Sequence, residues 1–98
     1  MDTTTIHLSR KTAQGFVVPC GTFSIVFART DIGMVACGAI DVAALDTFSY
    51  PAAKVRAAAG SIATVDDLLN AAVVAVNAAG EKKGLRTGMA GREALECL

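Results

Sequence analysis

The pair Cys37–Gly38, within "IGMVACGAIDV" over residues 32–42, is the feature of this 98-residue chain best suited to chemistry. The apolar run before it reads as a strand and Asp41 as the start of a helix, so a thiol would lie near free helical N–H groups that favour the nucleophilic thiolate. A nucleophile also needs a base. The only imidazole is His7, on a different strand, and it could serve Cys37 only if the first and fourth strands are neighbours. The plainer reading is packing, because free Cys is among the most buried residue types. Gly38 would then permit a close backbone approach or a bulge where the strand turns into the helix, and His7 would be a surface or interface residue. Cys20, next to Pro19, and Cys97, in the last turn, read as structural or incidental.

A second candidate is "TGMAGR", residues 87–92. Here Gly88 and Gly91 precede a helix whose free N–H groups could hold an anion, with Arg92 adding charge. The Gly-Lys-Ser/Thr ending of a phosphate loop is absent. A tight connection where only Gly fits accounts for the same residues, with Met89 as a core anchor. Asp41, Asp66 and Asp67 could suggest a carboxylate pair, yet each has a capping role at a helix start, so no acid–base site is read from them.

These side chains must be positioned by short elements. "TTTIHLS" over residues 3–9 is β-branched and alternating, with Ile6 and Leu8 on one face and His7 on the other, and reads as a first strand. "RKTAQG" reads as a polar turn, followed by a second strand Phe16–Val18 that ends at Pro19. "TFSIVFART" and "MVACGAI" form a hairpin through "TDIG", with Gly33 free to take positive φ. Both strands are apolar on both faces, which predicts a central place in an antiparallel sheet covered on its second side too. Asp41 caps a short helix through Leu45, and Thr64 before "VDD" starts a helix at "VDDLLN". Between them "AAKVRAAAG" fits a helix through its Ala residues or, with Val55 between two basic residues, an edge strand, and the strand is favoured. Beyond Asn70 the pattern fits either one continuous amphipathic helix or an extended "AVVAV" followed by a fresh cap at Asn77. Gly84 ends the helix containing "EKK", and "REALECL" is the last helix.

Composition bounds the rest. The length allows one domain, which buries roughly two thirds of its unfolded surface. Of the residues, 53% are apolar, but 19 are Ala, which points to close backbone approaches. Only 18% are charged, so part of the surface is expected to be covered by a partner, most economically by copies of the chain itself. Nine acidic and nine basic residues cancel without forming a basic stripe, which argues against nucleic acid. No leader-like apolar region or run long enough to span a bilayer occurs, so a soluble cytoplasmic protein is expected and no membrane partner. Three Cys and a lone His fit neither a disulfide framework nor a metal site, and no cofactor is implied.

Together "GMVACGAIDV", "TVDDLLNA" and "GLRTGMAGREAL" resemble the YunC-like family of small bacterial and archaeal domains of unknown function. The resemblance runs from about Phe16 to Leu98. It rests on Gly33, Cys37 and Gly38, then Thr64, Asp67, Leu68 and Leu69, then Gly88, Met89, Gly91, Ala94 and Leu95. The chain departs from the family's pattern at Met34, where an aromatic is usual, and in a longer "AAAGSIA". The resemblance implies an α+β fold over residues 1–98, an antiparallel β-sheet with three or four short helices packed against it, and favours the extended "VVAV" with a helix capped at Asn77. It implies no activity. The expected function is a homo-oligomeric ligand-binding or scaffolding module for an unidentified small molecule. The alternative is a thiol-dependent enzyme using Cys37 with His7 or Arg92 assisting, and Gly38, Gly88, Gly91 and Arg92 are the candidate ligand contacts.

Overall fold

A computed structural model describes residues 2–98. Six strands form one sheet in sequence order: β1 (Asp2–His7), β2 (Thr12–Pro19), β3 (Ser24–Arg29), β4 (Met34–Ala36), β5 (Ala52–Arg56) and β6 (Ala72–Val76). Four short helices accompany it: α1 (Val42–Leu45), α2 (Val65–Asn70), α3 (Ala78–Lys82) and α4 (Gly91–Glu96), with a 3₁₀ turn over Asp46–Phe48. The α+β class is as the sequence predicts. One pairing departs from an antiparallel sheet, because β4 and β5 run parallel with α1 in the connection between them. Parallel neighbours need a crossover of a dozen or more residues, and the segment 37–51 supplies it.

Strand β2 starts four residues before the predicted Phe16 and takes in most of the expected polar turn, which shrinks to a tight hairpin in which the Leu8 N–H donates to the Lys11 carbonyl (2.9 Å). Its inward residues at this end are Ala13 and Gly15, too small to register as an apolar face in sequence. They are small because α2 lies on them: a Cβ on Gly15 would come 2.8 Å from Val65 Cγ2. Gly33 also differs from expectation. It does not adopt positive φ; the Pro51 carbonyl lies where its Cβ would be, and the same carbonyl accepts from the Met34 N–H (3.0 Å).

Helix α2 begins as predicted. The Thr64 hydroxyl accepts from the Asp67 N–H, and the Asp67 carboxylate accepts from the N–H groups of Thr64 and Ala63, each at 3.1 Å. The Ala63 N–H, with Thr64 adding to it, holds the Asp67 carboxyl below the usual carboxylate range. Helices α2 and α4 cover one sheet face, burying Leu68, Leu69, Ala94, Leu95 and Leu98 against Val26, Ala28, Val35, Val55 and Val73. On the opposite face Phe16 and Phe27 stack at 4.9 Å with Arg29 over Phe16. Those two rings stay half-buried, so the second face is less covered than the apolar strands predict.

The stretch after Asn70 resolves into β6 and then α3, with Asn77 at the junction. The amide of this buried residue is fully used. Its Nδ2 donates to the carbonyls of Val42 (3.0 Å) and Tyr50 (2.8 Å), while its Oδ1 accepts from the N–H groups of Gly80 (2.8 Å) and Ala52 (3.1 Å). Stranding buried backbone groups costs about 1–3 kcal/mol each, so Asn77→Ala is expected to destabilise by at least about 3 kcal/mol. A urea midpoint within experimental error of the wild type would contradict this.

Candidate functional site

Cys37 follows the last residue of β4 and continues its pairing with β3: its N–H donates to the Val26 carbonyl (2.9 Å), and its Sγ accepts from the Val26 N–H (3.4 Å). The side chain is 6% exposed and belongs to the main apolar cluster. Packing is therefore its principal environment. The structure does not bring His7 to it. In the sheet order β2 and β3 separate β1 from β4, and three strand spacings of about 4.8 Å put the two strands some 14 Å apart. His7 also alternates with buried Ile6, so its side chain leaves the sheet on the face opposite Cys37.

Cys37 and Gly38 nevertheless border a cleft of about 520 Å³ at the carboxyl ends of β4 and β5. Its walls include Phe23, Lys54, Arg56, Ser61 and Val74, and no carboxylate lines it. Lys54 and Arg56 are the site residues that sequence reasoning missed. Their signal was the Lys-Val-Arg alternation, which places both cations on one face of β5, and it was read only as evidence for a strand. Gly38 does not mark a close backbone approach, since a Cβ there would meet open space.

His7 and Arg92 instead share a second cleft, of about 580 Å³, with Asp2, Thr4, Thr64 and Asp66 among its walls. Gly88 and Gly91 belong to neither cleft. The Gly88 N–H donates to the Val73 carbonyl and the Gly91 N–H to the Ala71 carbonyl, both at 2.8 Å, and the Ala90 N–H donates to Glu93 Oε1 (2.9 Å). The N–H groups of Gly88, Ala90 and Gly91 are thus spent on the edge of β6 and on a cap. Gly91 is small for a different reason: α4 crosses α2 there, and the Leu68 carbonyl occupies the place of its Cβ. Gly88 does need its glycine conformation, with φ at +93°. Met89 packs half-buried against the core, as expected, and its sulfur accepts from the Arg86 N–H (3.2 Å).

Among the described residues no three His, Cys, Asp or Glu side chains converge closely enough to hold a metal ion. No described helix is long and apolar enough to cross a membrane.

The fold and these sites have relatives. A family described as a domain of unknown function (DUF1805) matches residues 36–98, and the chain belongs to it. The match takes in Cys37, Gly38 and both helix motifs, and it begins after Gly33 rather than near Phe16. The chain is 42% identical over 65 residues to the uncharacterized protein YunC of Bacillus subtilis (strain 168), a stretch that makes up 66% of this chain and 64% of that protein. The match thus spans a little under two thirds of the relative's length. The crystal structure of a protein of unknown function from Thermoplasma acidophilum, TA1206, superposes with a TM-score of 0.85 over 97% of this chain and 89% of the other, at 23% identity, and shows the fold. None of these relatives carries an assigned activity.

Two outcomes check this account. In native protein Cys37 is expected to react with a maleimide much more slowly than exposed Cys20 and Cys97, and all three should react alike in urea; fast native modification of Cys37 would contradict its packing. Gly91→Ala should cost about 1–3 kcal/mol through overpacking. Gly38→Ala should stay within about 0.5 kcal/mol of wild type, and chemical denaturation separates the two.

Proposed function

We propose that the protein is a small cytoplasmic binding module that works as a homo-oligomer and holds a small anionic molecule in the cleft beside Cys37. The observation that carries this reading is the pairing of Lys54 and Arg56 in a cleft without a carboxylate. Among the described residues the ion pair is Lys11–Asp31 (3.1 Å), so neither cleft cation is neutralised by an acidic side chain. Hydroxyls of Ser24 and Ser61 stand on the same walls as donors, and Phe23 and Val74 offer apolar surface for the body of an organic anion. On this reading Cys37 borders the pocket from the core side and performs no chemistry.

Association of copies is supported by the low charge content and by large apolar side chains left in water, Phe48 at 77% and Phe23 at 55% exposure. Three unpaired thiols suit a reducing compartment.

Inorganic phosphate titrated into labelled protein is expected to move backbone amide resonances around Gly38, Lys54–Ala57 and Ser61–Ala63 in a saturable way. Lys54→Ala should weaken that response about tenfold, the size of one charge-assisted hydrogen bond. Shifts scattered over the surface, or a response indifferent to Lys54→Ala, would remove the reading.

A further inference from the structure

The two edges of the sheet are treated differently. Strand β6 is covered by its own chain: the Val73 N–H donates to the Met89 carbonyl (2.8 Å), and the Gly88 and Gly91 N–H groups return to Val73 and Ala71. Among the described residues no backbone segment covers strand β1 in this way, and of its six residues only Ile6 is buried. Edge strands are ordinarily protected by lysine, proline or a bulge. Asp2–His7 contains neither residue, and its register with β2 runs without a shift.

Which backbone groups of β1 are free follows from the hairpin. The Leu8 N–H bonds to the Lys11 carbonyl, and in an antiparallel ladder bonded pairs alternate, so Ile6, Thr4 and Asp2 direct their N–H and C=O groups at Ala13, Gly15 and Val17. Thr3, Thr5 and His7 therefore direct theirs outward.

We propose that β1 pairs antiparallel with β1 of a second copy about a twofold axis through Thr5, making one continuous sheet across the dimer. This rests on the homo-oligomer reading above and specifies its interface. The register is the one that uses every outward group: Thr5 faces the partner's Thr5, and Thr3 faces the partner's His7, which together make six backbone hydrogen bonds. Within Asp2–His7 a register centred on Thr4 bonds only Thr3 with the partner's Thr5, and it sets Asp2 against the partner's Ile6. In the Thr5 register no like charges oppose, since Asp2 faces the partner's Leu8. The side chains suit it as well, with Thr beside Thr on one face and Thr4 beside the partner's Ile6 on the other. The second cleft lies along this edge, walled by Asp2, Thr4, Thr5, Ile6 and His7. Its β1 wall is thus bordered by the partner's strand and complete only in the dimer.

Sedimentation equilibrium of the full chain tests this with Thr5→Pro, which removes an outward N–H and leaves the ladder to β2 intact. The expected result is a wild-type dimer and a folded variant whose dimer is weaker by at least about tenfold. Thr4→Pro, whose N–H serves β2, should instead lower the melting temperature. Should Thr5→Pro fail to fold, Thr5→Cys in a Cys20→Ser, Cys97→Ser background decides. Facing Cα atoms about 5.5 Å apart are within disulfide reach, so mild oxidation should cross-link Thr5→Cys faster than Thr4→Cys.

An oligomer indifferent to Thr5→Pro, or faster cross-linking at position 4, overturns the β1 interface and leaves association standing. A strictly monomeric wild type overturns both. Phosphate titration of the Thr5→Pro variant reports on the Cys37 cleft independently of either result.

Discussion

The carboxamide of Asn77 is the point at which three separate pieces of chain become one structure. Its two donors and its oxygen engage Val42 at the start of α1, Tyr50 and Ala52 at the entry to β5, and Gly80 within α3. All four partners are backbone groups, and three of them, at Val42, Tyr50 and Ala52, belong to the crossover and to the start of β5. An amide suits this place because it presents donors and an acceptor on one planar group; a carboxylate would oppose the two carbonyls and an aliphatic side chain would strand all four groups. The crossover from β4 to β5 depends on it, and with that crossover the carboxyl-end cleft where Cys37, Lys54 and Arg56 come together.

Small residues are the second constraint. The core is thin, and its helices are short enough that they must lie very close to the sheet and to one another. Gly15 admits Val65, Gly33 admits the Pro51 carbonyl, and Gly91 admits the Leu68 carbonyl. The abundance of Ala has the same cause, with Ala13, Ala28, Ala36, Ala52, Ala53 and Ala94 almost wholly excluded from water. A core built this way gains from close contact rather than from large buried side chains. It also explains why glycine-rich "TGMAG" is structural: its N–H groups extend the edge of β6, which closes one side of the sheet while β1 stays open on the other.

Two cysteine environments follow from the same architecture. Cys37 continues the β3–β4 ladder and packs inward, whereas Cys20 and Cys97 are exposed. The chemical suspicion raised by a Cys-Gly pair before a helix therefore meets a physical obstacle, the distance from β4 to the only imidazole. The cleft that Cys37 borders is nevertheless lined by positive charge, from Lys54 and Arg56 on the sheet face opposite the thiol, and this shifts attention from the thiol to β5.

By itself the sequence determined the local signals: the Thr64–Asp67 cap, the Asp41 cap, the hairpin over Thr30–Gly33, the helix end at Gly84 and the α+β class. Each depends on a handful of adjacent residues whose hydrogen bonds close within one turn. It also carried the family, through motifs spread over most of the chain. It did not determine the length of β2, because Ala13 and Gly15 are inward residues only in the presence of α2. Nor did it decide between helix and strand for 72–76, where both periods fit and the pairing with β5 settles the matter. Tertiary structure alone decided the parallel pairing of β4 with β5, the separation of His7 from Cys37 and the grouping of Cys37 with Lys54 and Arg56. Those are relations between segments far apart in the chain, set by strand order and crossover, and neither periodicity nor local capping encodes them.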